Sequence, residues 1–247
     1  MGQTEPALHV ASVLEAISDV IPDATALVWR DSRRNWHDFD DRAARIATAL
    51  TKAGLRHNSP VALYMHNSPA YLEGYLATLK MRGIPVNANY RYVADELLYL
   101  LDNCDAEAII YDEELAPRVA AIAGKVPKVK LFIKAGSSGV VKNSILLEDV
   151  IASSEPMGRI ARDPSDLMMT YTGGTTGMPK GVMRALGPFS HGIMVIAARA
   201  MGAEPPLTPA AAAAQAKRLH EANKLPVSVV APPFMHGAAH WMAFNAF

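Results

Sequence analysis

The stretch YTGGTTGMPKG, Tyr171–Gly181, places four glycines, three threonines and Lys180 in one short span. That mixture could grip phosphate. Glycine opens backbone conformations barred to other residues, so that successive amides can converge on an anion. The hydroxyls of Thr172, Thr175 and Thr176 can add donors, and Lys180 supplies a compact, mobile charge. Two common phosphate motifs fail on spacing. A Walker loop needs Gly-x4-Gly-Lys-Ser/Thr, but Lys180 lies between Pro179 and Gly181. The dinucleotide fingerprint needs Gly-x-Gly-x-x-Gly; Gly174 and Gly177 have the second interval, but Thr172 stands where the first glycine belongs. A glycine-rich stretch can also be a plain turn, and the Thr-Thr-Gly and Pro-Lys-Gly grouping after a strand argues against that use.

Other reactive side chains give less. AGSSGVVKNS has no Gly-x-Ser-x-Gly elbow. His236 and His240 are four apart, a spacing that could hold metal on a helix, but they lack the glutamate of His-Glu-x-x-His. The single cysteine, Cys104, excludes the common structural zinc sites and sits in a leucine-rich amphipathic stretch, as a structural residue would. No metal site is expected from the chain's own side chains. His236 could pack beneath Pro232, Pro233 and Phe234 as an ordinary half-buried residue. Met235, Trp241, Met242 and Phe244 could be plain core.

The elements around these residues alternate. HVASVLEAISDVI is a helix, TALVWR a strand, and DSRR a polar turn into NWHDF. DRAARIATALTKAG is an amphipathic helix closed by Gly54. SPVALYM is a buried strand. SPAYLEGYLATLKMRG is a helix with Ser68 as N-cap, Pro69 in the first turn and Gly83 as its stop. IPVNAN, AEAIIYD and KVKLFIK are strands, separated by the helices ADELLYLLDNC and EELAPRVAAIAG. DLMMTYT is a strand leading into the glycine-rich stretch. Strands rich in Val, Ile and Leu, alternating with helices, predict an α/β fold: layered, mainly parallel sheets flanked by helices. AEPPLTPAAAAAQAKRLHEANKLP is an alanine-rich helix reading as an insertion or surface excursion.

The chain has 247 residues, half of them hydrophobic, enough for a substantial core. Its 24 basic and 24 acidic residues cancel, so there is no basic footprint for nucleic acid. One cysteine permits no intrachain disulfide and fits a reducing, cytoplasmic setting. The N-terminus lacks a signal-peptide pattern, and no apolar run reaches the ~18 residues of a membrane span. Loose membrane association is left open, as is self-association.

YTGGTTGMPKG resembles the phosphate loop of the adenylate-forming superfamily, which holds acyl-CoA synthetases, adenylation domains and luciferases. The usual form is Tyr/Phe-Thr-Ser-Gly-Ser/Thr-Thr-Gly-x-Pro-Lys-Gly. The chain departs from it only at Gly173, which keeps the backbone donor and loses a hydroxyl. The segment from NWHDF to AIIYD is similar to the family's N-terminal subdomain, and PVNANYRYVADELLYLLDNCDAEAIIYD is especially similar to actinobacterial-type fatty-acyl or steroid-side-chain-acyl synthetases. APPFMHGAAHW resembles the following motif, which sets a histidine beside the acyl site.

The resemblance implies the site residues. Thr172, Gly173, Gly174, Thr175, Thr176, Gly177 and Lys180 would hold the phosphates of ATP. His236 and Gly237 would border the acyl pocket, with Met235, Trp241, Met242 and Phe244 as candidate lining. Asp166 matches an acidic residue ahead of the loop and reads as structural. The implied reaction joins a fatty acid or related lipid carboxylate to CoA through an acyl-adenylate, with ATP and Mg2+. The carboxylate is itself the nucleophile, so positioning and electrostatics are what the protein must supply. Residues 1–165 would form the N-terminal α/β subdomain and 166–247 the start of a second. The family's adenine motif, ribose-binding aspartate and small C-terminal domain have no counterpart in the sequence, which implies an N-terminal fragment, inactive by itself. The other reading is a non-catalytic nucleotide- or anion-binding domain acting through a partner or complementing chain.

Overall fold

The computed structural model describes residues 8–137, 141, 144–172 and 178–245. Helix α1 (Val10–Val20) begins after His9, whose ring accepts the Ala11 N–H at 3.2 Å. Strands β1 (Thr25–Trp29) and β2 (Ser32–Asn35) form an antiparallel hairpin with Trp29 opposite Ser32. The sequence places a turn across DSRR, but the turn falls at Arg30 and Asp31, where Arg30 takes φ +52°, and the following residues are strand. Pairing with β1 overrides the polar composition.

Helix α2 (Trp36–Lys52) is capped by Asn35, which accepts the Asp38 N–H at 2.7 Å, and it closes at Gly54 with φ +88°. Strand β3 (Pro60–Tyr64) is buried throughout. Ser68 caps helix α3 (Pro69–Lys80), with Pro69 in the first turn. Its stop differs from expectation. Arg82, not Gly83, takes the left-handed conformation, at φ +61°. Gly83 is instead a close approach, since a Cβ there would lie 2.9 Å from the Ser59 carbonyl oxygen. Strand β4 (Ile84–Asn87), helix α4 (Ala94–Asn103), strand β5 (Ala108–Asp112), helix α5 (Ala116–Ile122) and strand β6 (Leu131–Ala135) follow. Strand β7 (Ser144–Leu146) and helix α6 (Leu147–Ser153) lead towards β8 (Leu167–Thr172) and β9 (Lys180–Ala185). Helices α7 (Leu186–Ala200), α8 (Pro209–Glu221) and α9 (Gly237–Phe244) complete the described chain.

Seven strands form one sheet in the order β7-β6-β5-β3-β4-β8-β9. Neighbours are parallel except for β8 and β9. The architecture is therefore α/β with a mostly parallel sheet, and β8 and β9 extend the same sheet that β3–β7 build. Each inner strand buries both faces. Val61, Leu63, Ala108 and Ile110 join the core beneath α1, α2 and α3, while Ala62, Ile109 and Tyr111 join the core beneath α4 and α5. That two-sided burial explains the continuous apolar runs.

The chain leaves β3 through α3 on one face and β5 through α5 on the other. A crevice therefore opens at the carboxyl ends of β3 and β5. Helix α8 is on the surface but is not a free excursion: it packs against α1 and buries Ala212 and Ala213. Cys104 is buried, and burial pushes its thiol up to about 12.

Candidate functional site

Strands β8 and β9 are the two arms of a hairpin whose tip is the glycine-rich stretch. Tyr171 pairs with Gly181, and Thr172 with Lys180. Lys180 therefore sits across from Thr172 at the mouth, both exposed, and among the described residues its ammonium has no ion pair. Gly173, Gly174, Thr175, Thr176 and Gly177 lie outside the described residues. Helix α4 steadies both arms. Tyr99 donates its hydroxyl to the Pro179 carbonyl at 3.0 Å, and Tyr171 donates to Asn103 Oδ1 at 2.6 Å. Gly181 lies under the Tyr171 ring; a Cβ there would meet Met169 Sδ at 2.7 Å and Tyr171 Cε2 at 3.0 Å.

His236 stands beside this mouth. It precedes α9, is exposed, and makes no side-chain capping bond. Gly237 lies over β8, with Thr170 Cγ2 3.6 Å from where its Cβ would be. Two asparagines fix this turn. Asn87, at the end of β4, accepts the Tyr171 N–H at 2.8 Å through Oδ1 and donates through Nδ2 to the Met235 carbonyl. Asn67 accepts the Phe234 N–H at 2.8 Å and donates to the Pro232 carbonyl at 3.0 Å. Tyr71 adds a third tie: its ring stacks on Phe234 with centroids 4.5 Å apart, and its hydroxyl lies 3.2 Å from the Phe234 carbonyl oxygen and 3.0 Å from His240 Nε2. No motif marks Asn67, Asn87 or Tyr71 in the sequence. Each looks like an ordinary residue at an element end or on a helix, and only the sheet order brings them to the turn.

His236 and His240 do not converge. The first is exposed, and the second is buried against Tyr71 and Tyr75, where burial lowers its pKa to about 3. Among the described residues no group of three or more His, Cys, Asp or Glu could hold a metal ion. Met235 and Phe244 are buried, Trp241 packs edge-on against Phe189 at 4.9 Å, and Met242 is exposed. An apolar cavity of about 740 Å³ lies beyond Phe234, bounded by Ile17, Trp29, Trp36, Met194 and Leu219. That size suits a small-molecule ligand.

Asp166 is at the opposite, amino end of β8. Arg82 grips its carboxylate at 2.6 and 2.8 Å, and His57 lies 3.2 Å away. Burial alone would raise this carboxyl; the Arg82 bonds and the Asp163 N–H outweigh that and hold it below the ordinary range.

Strands β8 and β9 meet at the carboxyl edge of a mostly parallel α/β sheet, the edge at which such sheets bind their ligands. Comparison with known proteins makes the class specific. Residues 14–247 match the AMP-binding enzyme family, and the chain belongs to it. It is 32% identical to the medium-chain acyl-CoA ligase Mig of Mycobacterium avium, over all of this chain and 47% of that protein. It is 32% identical to a 3-oxocholest-4-en-26-oate–CoA ligase of Rhodococcus rhodochrous, over 97% of this chain and 43% of that protein. The chain thus spans less than half the length of these relatives. The crystal structure of a long-chain-fatty-acid–CoA ligase from Archaeoglobus fulgidus has the same fold, with a TM-score of 0.72 at 21% identity over 98% of this chain and 46% of that one.

Proposed function

We propose that the chain carries the phosphate-binding and acyl-binding parts of an AMP-forming acyl-CoA synthetase acting on a fatty acid or related lipid carboxylate. The observation that supports this most directly is the Asn87 bridge, which ties the strand feeding the glycine-rich stretch to the turn bearing His236. A loop for phosphates and a wall for the acyl carboxylate must sit side by side if one is to attack the other.

In this reading Thr172, Gly173, Gly174, Thr175, Thr176, Gly177 and Lys180 hold the β- and γ-phosphates of ATP. His236 and Gly237 border the carboxylate. The carboxylate attacks the α-phosphorus, pyrophosphate leaves, and CoA thiol then displaces AMP. Lys180 offsets charge on the departing pyrophosphate, and a phosphate-bound Mg2+ would share that task. The apolar cavity beyond Phe234 supports a bulky, lipid-like acid over a polar one. The relatives named above act on medium-chain and steroid-derived acids, in keeping with that class.

The test is pyrophosphate release from ATP and Mg2+ with a panel of fatty and steroid acids, using Lys180→Ala as control. Acid-dependent release abolished by the substitution supports the reading. Phosphate-ligand binding that Lys180→Ala weakens, without release, fits an N-terminal synthetase fragment inactive by itself or a non-catalytic binding domain that acts through a partner or complementing chain. Neither binding nor release refutes both.

A further inference from the structure

A second polar cluster occupies the crevice between β3 and β5. His66, two residues beyond β3, sets its ring Nδ1 2.8 Å from Asp112 Oδ2 at the end of β5. The same carboxylate oxygen accepts the His66 backbone N–H at 2.7 Å. The ring also lies against Tyr90, with centroids 4.4 Å apart. Arg118 pins that residue, donating to the Tyr90 carbonyl at 2.7 Å. The imidazole is thus held by a hydrogen bond, a ring contact and its own backbone.

This arrangement sets the tautomer. A carboxylate can only accept, so Nδ1 carries the proton and Nε2 carries the lone pair. Among the described residues nothing engages Nε2, and the side chain is 41% exposed. Burial pushes the Asp112 carboxyl above the ordinary carboxylate range, against the opposing His66 bonds.

The other histidines offer no equivalent. His9 and His57 face Asp166 at the amino edge of the sheet. His240 is buried. His236 is exposed, but no carboxylate orients it. His37, His191 and His220 lie exposed on helices.

Register places His66 near the mouth of the hairpin. Leu63 pairs with Asn87, and Asn87 with Thr170, so His66 and Thr172 both lie just beyond the carboxyl edge. They are separated by two strand spacings, roughly 10 Å. Asn67, the next residue, holds the Phe234 turn.

The geometry points to His66, oriented by Asp112, as the base that takes the proton from the thiol co-substrate. This rests on the synthetase reading above. Adenylation needs no such base, because the acid is already a carboxylate. A thiol is mostly protonated at neutral pH and must lose its proton. In the step, Nε2 takes the S–H proton while the sulfur pair forms the S–C bond to the acyl carbon. The bond from that carbon to the adenylate oxygen breaks, AMP leaves as its anion, and the imidazolium releases the proton to water.

Two experiments test this. Nitrogen NMR of the 247-residue chain reads the His66 tautomer directly; an unprotonated Nε2 at neutral pH, lost in Asp112→Asn, is expected, and a protonated Nε2 overturns the proposal. Thioester formation is then measured from preformed lauroyl-adenylate and CoA. His66→Gln is expected to slow it about 100-fold, with pyrophosphate release unchanged and with the rate restored by an aromatic thiol already ionised at neutral pH. An unchanged rate or an equal loss with both thiols overturns the proposal. Absence of pyrophosphate release in the unsubstituted chain, with the adenylate-to-thioester step intact, bears on the adenylation half of the site and not on the base.

Discussion

Tyr171 and Met235 are held to one another by a third side chain, the amide of Asn87, which accepts from the first and donates to the second. The two residues are far apart in sequence. One lies next to the end of strand β8, and the other sits in the turn that presents His236. Asn87 is 1% exposed, so neither bond can be replaced by bulk water.

Replacing Asn87 with Leu leaves a buried N–H and a buried carbonyl unpaired. The expected cost is about 2–4 kcal/mol of stability, read from urea unfolding. In the same variant, pyrophosphate affinity is expected to fall, because the strand feeding the loop is no longer fixed.

Lys180→Ala should lower pyrophosphate affinity without the loss of stability. Lys180 is exposed and has no ion pair among the described residues, so stability should change by less than about 0.5 kcal/mol. Pyrophosphate affinity, measured by titration calorimetry, should fall about tenfold or more. The remaining affinity should depend less steeply on salt.

Gly83→Ala tests the end of α3. The new methyl would meet the Ser59 carbonyl oxygen at 2.9 Å and Thr78 Cγ2 at 3.0 Å. Ser59 O is backbone and is already the acceptor for Ile84 N–H, so it cannot move freely. A loss of about 1–3 kcal/mol is expected, visible as a lower melting temperature.

Stability should also fall in mild acid. Burial lowers His240 to about 3, and burial, aided by Arg162 and opposed by Asp166, lowers His9 to about 4, both from an ordinary 6.5. The folded state keeps these rings neutral while the unfolded chain protonates them near pH 6.5. Above that pH they contribute no slope. Below it the unfolded state binds more protons, and stability drops by up to about 1.4 kcal/mol per pH unit for each ring. Urea midpoints from about pH 7.5 down to about pH 5 should show the fall, and His240→Phe should make it shallower.

Much of the scaffold was legible from short-range signals. Ser68 followed by Pro69 announced the start of α3, and the apolar runs PVALY and AIIYD announced strands buried on both faces. Signals failed where a partner overruled local composition. Ser32–Asn35 is polar but pairs with β1, and Gly83 serves a close approach while Arg82 makes the turn.

The sequence by itself determined the family, through the spacing of Tyr171–Gly181 and the APPFMHG turn, because each is a contiguous string whose residue types carry the chemistry. It could not show that β8 pairs with β4, that Asn87 and Asn67 clamp the His236 turn, or that His66 meets Asp112. Those contacts join residues separated by 46 to 167 positions. They are decided by strand order, which depends on how apolar faces are buried across the whole sheet and leaves no mark at any single position.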